Sequence, residues 1–331
     1  MSNTTAEIDP EVFHYTDATG LTGIVVNQTI WATHYGYLND KSEIVAFKAR
    51  FLNHFKPKLS SVIDQLTFHN PSAQALIDEK GGRVKIENET TPELVNGIFT
   101  ALLGNQQVPA FSEPYIASFS RPLSKEVIQH GLLSQWRAYG QDGGYAIVFD
   151  TAALDKLLTD ERDRWGHELL FGNIVYSNAT DAELEEELGT YLSKICNGVI
   201  SILQGTKTEA DPIDIYLDLL MCACRYKHWE FHEEKEVRVI STMPLSIDVV
   251  EQFQSRGTGA KPRKHRSRNG TLVPYIELFE GITSSQRKLP IKRIIVGPHA
   301  NGVNRRRSVE TLLTQHGVDA SVTISDIPYL G

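Results

Sequence analysis

Segments that predict β-strands occur near both ends of the chain, and long helical segments separate them. Strand-like runs lie at 12–17, 29–34, 115–120, 145–150, 171–176, 235–241, 271–278, 291–297 and 321–325. Apolar residues at helical spacing predict helices at 43–67, 133–139, 151–164, 180–204, 211–229 and 303–316. This order favours an α+β domain whose sheet takes strands from both ends of the chain.

The spacing of these segments predicts a single elaborated domain over 1–331. The helix at 43–67 contains Pro57, which predicts a kink or a break. Residues 70–110 are polar and irregular except for a helix near 92–104, so 44–110 is predicted to be a helical insertion. The stretch 256–270 is rich in Arg, Lys, Gly and Pro and predicts a basic loop.

The charge balance and the cysteines limit the setting in which the chain works. The net charge is −8, from 33 basic and 41 acidic residues, so no overall basic field attracts nucleic acid. No apolar run is long enough to cross a membrane, and the first residues lack a signal pattern. The three cysteines, an odd number, fit a reducing compartment. We therefore expect a cytoplasmic protein without a membrane partner.

The most informative stretch is Glu233-Glu-Lys-Glu-Val-Arg-Val-Ile240. Alternation along a strand places Glu234, Glu236 and Arg238 on one face. The guanidinium can hold a neighbouring carboxylate ionised and aimed. A solvated outer face with Arg238 paired across strands explains the same pattern.

Two other segments carry candidate ligand-binding residues. His14, Tyr15 and Thr16 end a strand just before a helix, where they can bind a sugar or a phosphate or simply cap that helix. In Leu133–Gly140, Arg137 can clamp a pyrophosphate, and Trp136 or Tyr139 can stack on a ring. Both aromatic side chains also suit a core helix.

Three weaker patterns have simpler explanations. Asn39, Asp40 and Glu43 fit the capping of the long helix. Cys224, His228 and His232 recur every four residues, but no metalloprotease signature accompanies them, so no metal is expected. The basic residues Arg263, Lys264, Arg266 and Arg268 can contact nucleic-acid phosphates, although such runs are also ordinary surface.

Taken in order, several motifs resemble a large bacterial family of the kind called a domain of unknown function, which looks related to the ADP-ribosyltransferase superfamily. The opening motif is similar to those of RNA 2′-phosphotransferases and of DNA-modifying ADP-ribosyltransferase toxins. The motifs are His14-Tyr-Thr, Trp31-Ala-Thr, Leu38-Asn-Asp with Glu43, Ser118-Phe-Ser, Trp136-Arg-Ala-Tyr-Gly140, Gly144–Asp150, Glu234–Arg238 and Ile295-Val-Gly-Pro298.

The resemblance implies a split, strongly bent β-sandwich with flanking helices and NAD, as the substrate, in the cleft. It makes Glu236 the catalytic glutamate, Glu234 its assistant, and His14 the group that holds a ribose hydroxyl, flanked by Tyr15 and Thr16. Ser118 with Ser120, and Trp136 with Tyr139, compete for the nicotinamide wall. The other cofactor contacts it implies are Trp31, Arg137 and Arg238.

The function expected from the resemblance is cleavage of the nicotinamide–ribose bond and transfer of ADP-ribose to a macromolecule such as RNA or DNA. A toxin or phage-defence role, with a neutralising partner protein, is the corresponding biological setting. NAD glycohydrolysis, a non-catalytic nucleotide-binding module and a zinc hydrolase are the rival hypotheses.

Overall fold

The structure is a computed structural model that describes residues 9–38, 43–68, 70–103, 112–139, 143–203, 212–244 and 261–328. Four parts of the sequence predictions therefore lie outside the described residues. They are Asn39 with Asp40, Gly140, the end of the predicted insertion at 104–110, and the start of the basic loop at 256–260.

Helices and strands alternate irregularly along the chain. The helices are α1 (Ala18–Asn27), α2 (Glu43–Thr67), α3 (Pro71–Glu79), α4 (Gly82–Lys85), α5 (Thr91–Leu103), α6 (Lys125–His130), α7 (Leu133–Tyr139), α8 (Thr151–Trp165), α9 (Asp181–Leu203), α10 (Pro212–Cys224) and α11 (Gly302–Gln315). The strands are β1 (Glu11–Thr16), β2 (Ile30–His34), β3 (Ser112–Ser120), β4 (Tyr145–Asp150), β5 (Glu168–Asn173), β6 (Val175–Tyr176), β7 (Tyr226–Lys227), β8 (Glu236–Pro244), β9 (Lys264–Arg268), β10 (Thr271–Leu278), β11 (Ile291–Val296) and β12 (Ser321–Ile324).

Ten of these strands form one mixed sheet, which confirms the α+β class and the contribution of strands from both ends of the chain. The main order is β12-β11-β4-β1-β3-β2-β10-β9, and β8 pairs with β3 and β5 off this path. Strands β6 and β7 form a separate small parallel pair.

The sheet divides at β3. One edge of β3 pairs with β8 along its whole length. The other edge is shared, because Ser120 pairs with Phe13 of β1, whereas Ile116 and Tyr115 pair with Thr33 and His34 of β2. Between these contacts β1 and β2 diverge, and α1 connects them. The sheet is therefore split next to the motifs that carry the resemblance.

Two faces of the sheet pack against different cores. Residues that alternate in β1, β3, β4 and β8 enter a large cluster with α1, α8 and α11 on one face. On the opposite face, Phe13 and Tyr15 pack with Trp136 in a smaller cluster, whereas Ile116 and Ile240 pack with α2, α5, α9 and α10. We call this second side the helical face.

Several local predictions were wrong. Helix α2 continues through Pro57, so the helix does not break there, and 70–90 contains α3 and α4 rather than irregular chain. Part of the predicted basic loop is strand β9, which pairs with β10. Helix α10 ends at Cys224 instead of continuing to 229. Within the described part of the chain, no helix has the length and apolarity needed to cross a membrane.

Candidate functional site

A row of polar side chains crosses the helical face between its two apolar clusters. In the β3–β8 ladder, Ser118 lies opposite Arg238 and Ser120 lies opposite Glu236. Directly opposed residues in antiparallel strands point to the same face, so all four side chains share one face. Glu236, Arg238 and Ser120 are buried, and Ser118 is partly exposed.

The turn that precedes β8 fixes the position of Glu236. A short 3-10 helix, Trp229–Glu234, ends at Lys235, whose φ of 42° turns the chain into the strand. The Glu236 N–H donates to the Tyr176 hydroxyl at 3.0 Å, and the Ser120 hydroxyl donates to the Glu234 carbonyl at 2.6 Å. The alternation predicted that Glu234 lies on the strand. Instead, Glu234 is the last residue of the 3-10 helix that precedes β8.

Five charged side chains form one connected network on this face. Lys227 Nζ contacts Glu234 at 2.7 Å and Glu236 at 2.8 Å. Arg238 Nε donates to Glu236 at 2.8 Å, and its two Nη atoms grip Glu43 at 2.8 and 2.9 Å. Three carboxylates thus face two cations, which leaves one negative charge uncompensated when all five groups are ionised.

The network controls the protonation of Glu236. Burial alone would raise the pKa of Glu236, but the charges of Arg238 and Lys227 and their hydrogen bonds outweigh burial and lower the pKa to about 2. Burial raises the pKa of Glu43, and its pairing with Arg238 offsets this only in part. Glu236 is consequently a fixed anion at neutral pH.

Tyr139 and Arg137 end helix α7 above this network. Burial raises the pKa of Tyr139, and the carboxylates of Glu234 and Glu236 add to the effect. Tyr139 is 38% exposed, so its ring borders both the acidic network and solvent. Arg137 is exposed at the same helix end. Of the two aromatic candidates on α7, Tyr139 is the one that lies at the network.

His14 does not converge with Glu236. Phe13 lies in register with Ser120, and therefore on the face of Glu236, so the alternation of β1 turns His14 toward the other side. Its Nδ1 bonds the Ser118 carbonyl at 2.9 Å, and its ring lies 5.6 Å from that of Phe119. The imidazole therefore sits in the split between β1 and β3. Burial lowers the pKa of His14, so it is neutral at neutral pH.

Tyr15 and Trp136 belong to the core rather than to an open site. Their rings meet at 4.8 Å with an edge-on geometry, and Trp136 is fully buried. Trp136 Nε1 donates to the His130 carbonyl, and the Tyr15 hydroxyl accepts the Leu132 N–H. With its ring enclosed, Trp136 offers no stacking surface in this structure, in contrast to the sequence prediction. Thr16 packs against α1, where its hydroxyl occupies the space that a side chain at Gly20 would need.

Trp31 lies across the split from this row. Thr33 pairs with Ile116, so Trp31, two residues earlier in β2, points to the helical face as well. Its Nε1 donates to Glu277 at 3.2 Å, and its ring lies 4.7 Å from that of Tyr275. Trp31 therefore shares the helical face with Glu236 and Arg238.

The three residues on which the rival zinc hypothesis depended do not assemble. Strand β7 follows Cys224 directly, so Cys224, His228 and His232 do not share a helix face. Cys224 is buried, and burial raises its pKa to about 12, whereas His232 is exposed. Among the residues that the structure describes, no three His, Cys, Asp or Glu side chains are grouped to hold a metal ion.

Sequence reasoning missed three residues of the site: Lys227, Tyr176 and, in its actual role, Glu43. Glu43 is the first residue of α2, and its carboxylate is buried against Arg238. Nothing local marks these residues, because Glu43 and Arg238 are 195 positions apart in sequence. A mostly apolar cavity of about 200 Å³ adjoins Glu43 between β3 and α10, but Glu236 does not line it.

Comparison with known proteins finds one family model that matches part of the chain. Residues 135–239 match the family described as "Protein of unknown function (DUF2971)", which confirms the predicted resemblance to a domain-of-unknown-function family. The matched segment runs from α7 into β8 and contains Tyr139, Lys227, Glu236 and Arg238. Neither the curated proteins nor the solved structures give a significant match.

Proposed function

We propose that the protein is an NAD-consuming, ADP-ribosyltransferase-like enzyme that works on the helical face beside the split in its sheet. The observation that carries the proposal is the ionised Glu236 carboxylate, which Arg238 and Lys227 hold in a network of three carboxylates and two cations. The divergence of β1 and β2 beside β3 supports it as well, since the resemblance implies a cleft that takes NAD between two halves of the sheet.

The chemistry of the reaction fits such a carboxylate. When the bond between the ribose C1′ and the nicotinamide nitrogen breaks, its electron pair leaves with neutral nicotinamide, and positive charge develops on the ribose. A fixed anion stabilises this charge more strongly in the transition state than in the ground state. A nucleophilic atom of a macromolecular acceptor then bonds to C1′ and releases its proton.

The residues around Glu236 have defined tasks in this proposal. Arg238 and Lys227 keep the carboxylate ionised and oriented, and Glu43 fixes the guanidinium of Arg238. Ser118, Ser120 and Tyr139 offer hydroxyls and a ring edge at the border of the network. His14 has no task in this proposal, because its imidazole faces the other side of the sheet and its Nδ1 is bonded to the Ser118 carbonyl.

The test is the release of nicotinamide from NAD by the purified protein and by Glu236→Gln. We expect the variant to lose roughly 100- to 1000-fold in turnover while NAD binding, followed by calorimetry, changes little. Glu161→Gln is the matched control, because Glu161 is also a buried, ion-paired glutamate but pairs with Lys261, outside the network. Equal turnover of Glu236→Gln and the native protein would contradict the assignment.

The acceptor needs a second experiment. Labelled NAD is incubated with the protein and with RNA, DNA or cell lysate, and the label is followed into macromolecules. Transfer predicts labelled macromolecules, whereas NAD glycohydrolysis, with water as the acceptor, predicts only free ADP-ribose.

A non-catalytic nucleotide-binding module is the second candidate, and a specific observation favours it. Both oxygens of the Glu236 carboxylate are engaged by Lys227 and Arg238, and His14 lies on the other side of β3. In that case NAD binds without release of nicotinamide, and Glu236→Gln affects stability alone.

A further inference from the structure

The basic residues on and beside strand β9 differ in how they are neutralised. Arg263 pairs with Glu113 at 3.5 Å, and Lys264 bridges Glu277 and Glu280 at 2.8 and 2.7 Å. Among the described residues, neither Arg266 nor Arg268 has a carboxylate within ion-pair distance. Arg268 is exposed and donates to the Tyr37 carbonyl, whereas Arg266 is partly buried.

Aromatic and hydroxyl groups hold the Arg266 guanidinium in place. It lies over the ring of Trp31 at 5.0 Å from the centroid, and one Nη donates to the Thr33 hydroxyl at 3.1 Å. Nε is buried and has no acceptor among the described residues. Stacking uses the flat face of a guanidinium and leaves its in-plane N–H donors for an acceptor.

The surroundings of Arg266 favour an anion. Burial lowers the pKa of Arg266, and the nearby charge of Arg268 lowers it further. Asp17 and Tyr275 are the groups that act in the opposite direction, and the carboxylate of Asp17 accepts the Gly20 N–H at the start of α1. A buried donor without an acceptor is costly, and an anion that accepts from it removes that cost.

We infer that Arg266, with Trp31 and Thr33, forms a binding site for a phosphate group of a nucleotide. A planar guanidinium is suited to phosphate because it offers two parallel donors. The Trp31 ring beneath it fixes the orientation of that fork. Since Lys264 and Arg263 are already neutralised, the site takes one phosphate group rather than a length of nucleic-acid backbone.

The position of the Arg266 site is compatible with the proposed reaction. That this site binds a phosphate of NAD rests on the proposed function. Trp31 and Glu236 face the same side of the sheet, with β3 and the split between them. Strands β8 and β2 are two strand spacings apart, which is about 10 Å before the split widens the separation. A dinucleotide can then place its reacting ribose near Glu236 and a phosphate at Arg266.

The test measures the binding of ADP and of adenosine by calorimetry, so that the phosphate contribution is isolated. Arg266→Met keeps an apolar chain over Trp31 but removes the charge, and we expect it to weaken ADP binding by roughly tenfold or more. Adenosine binding should not change. Arg263→Met is the matched control, because Arg263 is already paired with Glu113. The Arg263→Met variant should bind ADP with the native affinity.

Arg266→Lys separates the contribution of the positive charge to ADP binding from that of the guanidinium geometry. It also shows whether a loss of binding in Arg266→Met comes from a folding defect. It keeps the positive charge but loses the fork, so its ADP affinity should lie between those of the native protein and of Arg266→Met. Unchanged ADP affinity in Arg266→Met, no ADP binding by the native protein, or a loss seen only with a short RNA would each overturn the inference. ADP binding that depends on Arg266, in a protein that releases no nicotinamide, would retain this site and reject the proposed enzyme.

Discussion

The ion pair between Glu43 and Arg238 provides the most direct test of the network. Arg238 donates twice to Glu43, at 2.8 and 2.9 Å, twice to Glu236, at 2.8 and 3.2 Å, and once to the Cys224 carbonyl at 2.7 Å. Both side chains of the pair are less than 10% exposed. Solvent therefore cannot replace a lost partner easily.

These contacts determine how much each substitution should lower the free energy of unfolding. Breaking a buried ion pair by removing one partner costs about 3–5 kcal/mol. Glu43→Gln should lie at the lower end, about 3 kcal/mol, because Arg238 keeps Glu236 and the Cys224 carbonyl. Arg238→Met should lie at the upper end, about 5 kcal/mol, because Glu43 is left buried without a countercharge.

The double variant distinguishes a true interaction from two separate defects. Once Arg238 is gone, Glu43→Gln removes an unpaired buried carboxylate, so the double variant should be no less stable than Arg238→Met, which makes it about 3 kcal/mol more stable than additivity predicts. The assay is urea unfolding of the native protein, both single variants and the double variant, compared at equal m-values. Additivity within about 0.5 kcal/mol would refute the reasoning, since independent sites behave in that way.

Two further predictions follow from the same structure. Because the pKa of Glu236 is about 2 in the folded protein and 4.5 without its surroundings, the stability that its ionisation provides is present above pH 4.5 and is lost as the pH falls toward 2. Acid titration of the unfolding free energy should show this loss, about 3 kcal/mol, in the native protein and not in Glu236→Gln. Gly131→Ala should destabilise the protein by about 3 kcal/mol, because its φ is 74° and the new methyl group would lie 2.5 Å from the buried Trp136 ring. Gly270→Ala, with φ of 75° and open space around it, should cost only about 1–2 kcal/mol, and urea unfolding measures both glycine variants.

The sequence predicted the elements that bury apolar residues and missed those that do not. Strand β10 was predicted with its exact bounds, because its residues alternate into the large core. Strand β9 was missed, since Lys264, Arg266 and Arg268 occupy the side-chain positions where an apolar pattern would appear. Their contacts with Glu277 and Thr33 take the place of apolar burial, and those partners are distant in sequence.

The sequence predicted two central residues of the candidate site, but not their partners or the geometry. The importance of Glu236 and Arg238 followed from their alternation, and the structure confirms that they share a face and contact each other. The partners Lys227 and Glu43 depend on how β7 and α2 dock on the sheet, which no local pattern contains. The position of His14 depends on the register Phe13–Ser120, and a one-residue change in register would reverse it.

The network on the helical face is not explained by stability alone. Replacing a buried ion network by packed apolar side chains of similar volume is often neutral or stabilising. Here apolar packing is available on both sides, from Ile240 in one cluster and from Phe13 in the other, yet Glu236 and Arg238 interrupt it. The network of three carboxylates and two cations lies on one side of the split. Arg266, which has no carboxylate partner among the described residues, lies on the other side of the split and on the same face of the sheet. That division suits a ligand with an anionic middle and a centre that becomes cationic as it reacts, and a purely structural network gives no reason for Arg266 to lack a carboxylate.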